Sequence, residues 1–177
     1  TRASVAKEKG LEPLVAYILE QNATAPLTET AQAYVDAEKG VADAKEAIDG
    51  AKDIIAEQIS DKADYRIYIR NLTFEEGKIV STAKDEKEQS VYENYYAYEE
   101  PIKKVVGHRI LALNRGEKEK MLIVKIEAPT DRILRYLEKQ VITADNPVTT
   151  PVLTEVIADA YTGLIAPAIE REIRNEP

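Results

Sequence analysis

The side chains able to do chemistry in this sequence are carboxylates, tyrosines, one histidine and a local cluster of cations. Three acid pairs are adjacent in the chain, Glu75-Glu76, Asp85-Glu86 and Glu99-Glu100. Acid–base or two-metal catalysis needs carboxylates that converge from different elements, and sequence neighbours point apart. In a chain with 32 acids such pairs are expected on solvated surface. His108 is the single histidine and there is no cysteine, which excludes thiolate zinc sites and His-pair metal motifs. No Ser or second acid is spaced to complete a triad with His108, and no GxGxxG, P-loop or GxSxG motif occurs. The residues therefore predict no metal site, no cofactor and no catalytic turnover.

The cations are unevenly spread. Residues 103–120 carry Lys103, Lys104, Arg109, Arg115, Lys118 and Lys120 against two acids, while the whole chain is −8. A basic island in an acidic chain is either a nucleic-acid contact or a face that docks on an acidic surface. If it meets a phosphate backbone, Arg109, Arg115, Lys118 and Lys120 are the expected contacts, since a cationic helix end and its following loop can approach one strand. If it docks, Arg109 and His108 are expected to be pinned by partners within the chain. The tyrosines Tyr92, Tyr95, Tyr96 and Tyr98 could stack on bases, but Glu93, Glu99 and Glu100 stand among them, so packing against the body is expected. Asn22-Ala23-Thr24 and Asn71-Leu72-Thr73 match the glycosylation sequon by chance in a chain without a secretion signal.

Helices must position these groups. From Val41 the apolar residues Ala44, Ile48, Ala51, Ile55 and Ile59 recur at three-four spacing, and a second helix carries Tyr65, Tyr68, Ile69 and Leu72 before a left-handed stop at Gly77. The short link between them predicts an αα-hairpin. Gly10 ends a first helix, Pro13 opens the next, and Pro26 and Thr28 open a third. Another helix runs from about Val106 to Arg115, where Gly116 can stop it. Spacing of seven places His108 and Arg115 on one face with Leu111 between them, and Arg109 on another. Ala128-Pro129-Thr130 opens a helix with Ile133, Leu134, Leu137 and Val141, which Asn146-Pro147 breaks. A last helix from about Thr150 to Arg174 is expected to be the longest, with a bend around Gly163 to Pro167.

Only Lys78 to Lys84 and Met121 to Glu127 read as strands, and each needs the other as partner. The fold class is thus predominantly helical, all-α with one small two-stranded antiparallel β-ribbon. Three regions are expected within one compact unit: 1–76, 77–127 and 128–177. The composition, 44% hydrophobic and 32% charged over 177 residues, is globular. No apolar run approaches the ~20 residues that span a bilayer, so no membrane partner is expected, and the absence of cysteine suits a reducing cytoplasm.

Three separated motifs carry a resemblance. Ala6-Lys7-Glu8-Lys9-Gly10-Leu11-Glu12-Pro13-Leu14, Ala51-Lys52-Asp53-Ile54-Ile55-Ala56-Glu57 and, above all, Gly107-His108-Arg109-Ile110-Leu111-Ala112-Leu113-Asn114-Arg115-Gly116-Glu117 resemble the Tex family of bacterial transcription accessory proteins. The resemblance implies a fragment: the end of the N-terminal region and the central helical region, before a RuvC-like (YqgF) domain. It implies a scaffold that positions nucleic-acid-binding domains, with RNA or DNA and the transcription machinery as partners of the full-length protein. The alternative is part of a RuvC-like nucleic-acid hydrolase whose catalytic residues lie outside this stretch. Where the family usually has Ser before the His-Arg pair this chain has Gly107, and a side-chain helix cap is expected to be lost there.

Overall fold

The computed structural model describes residues 1–175. In chain order the elements are α1 (Arg2–Glu8), α2 (Glu12–Glu20), α3 (Leu27–Ala31), α4 (Ala44–Asp61), α5 (Ala63–Glu76), β1 (Lys78–Ala83), β2 (Ala97–Pro101), α6 (Gly107–Lys118), β3 (Leu122–Glu127), α7 (Thr130–Val141), α8 (Thr149–Ala160) and α9 (Ala166–Asn175). About two thirds of the chain is helical. The described residues form two compact units. One joins Thr1–Arg66 to Leu134–Ile165, and the other joins Ile67–Ile133 to the stretch from Ala166 onward.

In the first unit, local chemistry sets the helix ends. Thr1 accepts a bond from the Ser4 main chain, and Gly10, at φ +77°, closes the following turn. Pro13 sits in the first turn of α2. Asp43 accepts from Glu46 N at 2.8 Å while the Glu46 carboxylate accepts from Ala42 N at 2.8 Å, a reciprocal cap that starts α4. The start falls three residues after Val41, which instead pairs with Asp36 in an isolated antiparallel bridge. The buried stripe of α4 is accordingly Ala47, Ala51, Ile54, Ile55 and Ile59, with Ile48 half-buried. That stripe packs on α1, α2, α3 and α8. The expected αα-hairpin is not formed: Lys62 alone separates α4 from α5, and α5 continues into the second unit.

Two buried amides tie distant parts of the first unit together. Gln21, in the left-handed conformation at φ 58°, donates from Nε2 to Val141 O at 2.9 Å. Its Oε1 accepts from Thr143 N at 2.9 Å and Ala144 N at 3.3 Å. Asn146 donates to Ala23 O at 3.0 Å, and its Oδ1 accepts from Val148 N and Thr149 N at the start of α8. The break expected at Asn146-Pro147 is therefore also a fastening.

The second unit holds the sheet. β1 pairs antiparallel with β3, with Ser81 opposite Val124, as the ribbon requires. A third strand was not legible: β2 pairs on the other side of β1, giving the order β2-β1-β3. Its sequence, Ala97-Tyr98-Glu99-Glu100-Pro101, is acidic and ends in proline, which an edge strand tolerates and a central one does not. Ile79 of β1 and Leu122 and Val124 of β3 bury against Leu113 of α6 and Tyr92. Ser81 is fully buried there, and its hydroxyl has no hydrogen-bond partner among the described residues.

Two glycines do other work than the sequence suggests. Gly77 has no positive φ; a Cβ there would collide with Thr73 O and Ile102 Cδ1, so it permits close approach. Gly116 lies inside α6, where a Cβ would overlap Leu122 and press on Tyr92.

The last helix is continuous over 27 residues, Thr149–Asn175, about 40 Å at 1.5 Å per residue. A π segment, Tyr161–Ile165, interrupts it where a bend was expected. Pro167 supplies no N–H and its ring crowds the carbonyl four residues back, and the wider turn accommodates both effects. An 18-residue window of this helix averages a hydropathy of 1.4, enough by length and composition to cross a membrane, which corrects the expectation from apolar runs. Much of its apolar surface goes into packing: Leu153, Val156, Ile157, Ala160, Tyr161 and Ile165 are buried and α8 packs on α4, while Leu164 stays exposed.

Candidate functional site

The basic island resolves into α6 and the turn after it. α6 has no side-chain cap: Val106 is the cap residue and Gly107 the first helical one, so the position that differs from the family pattern is not the capping position. Ile110, Leu113 and Gly116 face the core. His108, Leu111, Arg115 and Lys118 lie on the opposite side, all exposed, at the spacing of one helical face. His108 is thus a surface group and not a pinned one.

Gly116 does not stop the helix. Lys120 does, at φ +63°: Lys120 N donates to Glu117 O at 3.0 Å and Met121 N to Gly116 O at 2.9 Å. This is the Schellman pattern, in which the left-handed position usually belongs to glycine. Lys120→Gly is expected to raise stability by about 1 kcal/mol, a rise in Tm of about 2–4 °C, because the Cβ penalty disappears. Thermal denaturation monitored by circular dichroism measures this, and an unchanged or lower Tm would show that the lysine makes a compensating contact.

The four residues expected to meet phosphate are not equivalent. Arg109 donates to Glu100 Oε2 at 2.8 Å, and the Tyr98 hydroxyl donates to the same oxygen. Burial, reinforced by Glu100, pushes the Tyr98 phenol up to about 12. The bond from Tyr98, with help from Arg109, holds the Glu100 carboxyl below its usual range. Arg109 is thus tied into the sheet although its side chain is 44% exposed. Arg115, Lys118 and Lys120 are exposed and make no ion pair among the described residues. The two acids of this stretch are turned elsewhere, Glu117 to Arg174 at 2.6 Å and Glu119 to the Tyr92 hydroxyl.

The other candidates separate as neighbours in sequence should. Glu75 lies 3.8 Å from Lys103 and Glu76 bonds Arg132, while Glu99 bonds Lys78 and Glu100 bonds Arg109. Among the described residues no group of three or more His, Asp or Glu is placed to hold a metal ion. Tyr92 is buried, Tyr95 and Tyr98 meet edge-on at 5.2 Å, and the Tyr96 hydroxyl bonds Glu88 O at 2.6 Å, so the tyrosines pack beneath the sheet. In the second unit a groove of about 440 Å³ is lined by Phe74, Ile102, Val105, Ile110 and Ile173 with Arg70, Asn71 and Lys103, a lining without carboxylate, histidine or hydroxyl.

A family model described as Tex central region-like matches residues 22–176. The chain belongs to the Tex family. YdcI of Bacillus subtilis is 55% identical over 99% of this chain and 25% of its own length. The transcriptional accessory protein Tex of Neisseria gonorrhoeae is 30% identical over 74% of this chain and 17% of its own. Human S1 RNA-binding domain-containing protein 1 is 27% identical over 98% of this chain and 19% of its own. The chain thus spans a quarter or less of the length of these relatives. The family match takes in α6 and its turn, so the cationic face belongs to the Tex central region itself.

Proposed function

We propose that this chain is a non-catalytic scaffold within a cytoplasmic transcription accessory protein, with RNA or DNA bound by other parts of the full-length molecule. The observation that carries this reading is how five of the six buried polar side chains among the described residues are used, Ser81 being the one without a partner. Gln21, Thr73 and Asn146 bond main-chain groups of their own unit, Thr149 bonds Asn146, and Ser60 accepts from Arg66. Such groups hold a shape; they do not face a cavity where a substrate would sit. The transcription role draws on the family and on the name of the Neisseria relative, and the RNA association on that of the human one. Arg115, Lys118 and Lys120 give the scaffold one surface suited to a negatively charged partner.

Incubation of the purified chain with labelled RNA and DNA in magnesium or manganese should leave both intact. Titration at roughly 150 mM salt should give binding weaker than about 1 μM, because a net charge of −8 opposes a polyanion. Metal-dependent cleavage abolished by one carboxylate substitution would overturn the scaffold reading.

A further inference from the structure

We propose that the outward face of α6, formed by His108, Leu111, Arg115 and Lys118, docks an acidic amphipathic helix of a protein partner. This deepens the scaffold reading by naming what the scaffold holds. The face has two components. The first is charge: Arg115 and Lys118, continued by Lys120 in the turn, have no ion-pair partner among the described residues, because Glu117 and Glu119 are engaged with Arg174 and Tyr92. The second is apolar: Leu111 is 58% exposed between His108 and Arg115.

Charge complementarity selects a polyanion, and Leu111 selects among polyanions. Against a phosphate backbone the leucine side chain would meet charged oxygens and gain nothing, whereas against a helix carrying its own leucine it would be covered. A single strand would also want an aromatic platform, and Tyr92, Tyr95, Tyr96 and Tyr98, the tyrosines that precede α6, are packed against the sheet. His108 and Arg115 are two turns apart, about 10.5 Å, and Lys118 lies about 4.5 Å further on. Carboxylates one and two turns apart on a partner helix can face these positions, as at coiled-coil flanks. The acidity of the whole chain penalises a ligand in proportion to its charge, so a helix with two or three carboxylates is penalised less than a strand charged at every nucleotide.

The probe is a designed alanine-based helical peptide with one leucine stripe flanked by glutamates one and two turns away, titrated into the ¹⁵N-labelled chain. Saturable amide shifts are expected at His108, Leu111, Arg115 and Lys118. Affinity should fall at least about tenfold in the Arg115→Glu/Lys118→Glu variant, in Leu111→Asp and with a peptide whose glutamates are glutamines. These side chains are exposed, and the spectrum of each variant reports whether it is folded. Leu111→Gln, a milder change, should weaken binding in the same direction. Shifts that are absent, lie elsewhere or persist in all variants would overturn the proposal. So would a short oligothymidylate that binds this face more tightly than the peptide. Failure of the peptide to bind leaves the non-catalytic scaffold reading intact, since that fails on turnover, whereas tight oligothymidylate binding here would also contradict the assignment of nucleic acid to other parts of the molecule.

Discussion

Gln21→Ala should destabilise the protein by about 3 kcal/mol, lowering Tm by about 6–12 °C for a chain of this size. The substitution strips three main-chain groups of their partner at once: Val141 O, Thr143 N and Ala144 N, at the end of α7 and just beyond it. Leaving buried polar groups unpaired costs about 1–3 kcal/mol each, and partial access of water to the loop keeps the sum near the lower end. The backbone contributes separately, since position 21 sits at φ 58°, where alanine is strained as glutamine is. Gln21→Gly removes the amide but relieves that strain, and it should be about 1 kcal/mol less damaging than Gln21→Ala. Denaturant unfolding of both variants separates the contributions. Equal losses would mean that the left-handed backbone is not strained, and losses under 1 kcal/mol would mean that the amide bridge is not structural.

Gly116→Ala sets two effects against each other. Alanine is the better helix former by about 1 kcal/mol, and position 116 is within α6. Yet the new methyl would overlap Leu122, which is 2% exposed, and come within 3.2 Å of the Tyr92 ring. Overpacking a dense core costs about 1–3 kcal/mol, so the net effect should be a destabilisation of about 0–2 kcal/mol, toward the upper end because Leu122 is buried. The companion Leu122→Ala opens a cavity and is costly alone, but the double variant should recover part of the loss through coupling. A cycle with no coupling, or a Gly116→Ala protein more stable than the parent, would show that Leu122 can swing away freely.

Legibility in the sequence followed the range of the forces involved. Helices were readable where a stripe and a local stop coincide, as at Gly10, Pro13 and Pro129. The pairing of β1 with β3 was readable because neither segment could satisfy its backbone alone. β2 was hidden by its acids and proline, and with it the Glu100 partner of Arg109, so the division of the four cations into one held and three open could not be foreseen. The face shared by His108, Leu111 and Arg115 needed only helical geometry and was legible. Gly77 and Gly116 were read as stops because glycine's local role is visible in sequence, whereas Leu122 and Ile102 come against them only in three dimensions. In α4 the residues Ala51, Ile55 and Ile59 are buried as read, while Ala47 and Ile54 take the places given to Ala44 and Ile48, and the buried Val41 lies before the Asp43 cap.

The fastening at Asn146 also bears on chemical ageing. Asparagine side chains decay to aspartate chiefly when the main-chain nitrogen of the next residue attacks the side-chain carbonyl. The next residue here is Pro147, whose nitrogen carries no hydrogen. That attack is blocked at the one asparagine whose conversion would place a charge, 8% exposed, against Ala23 O. The dipeptide that breaks the helix thereby also preserves the amide that joins the loops, and over long storage Asn146 should outlast exposed asparagines such as Asn71.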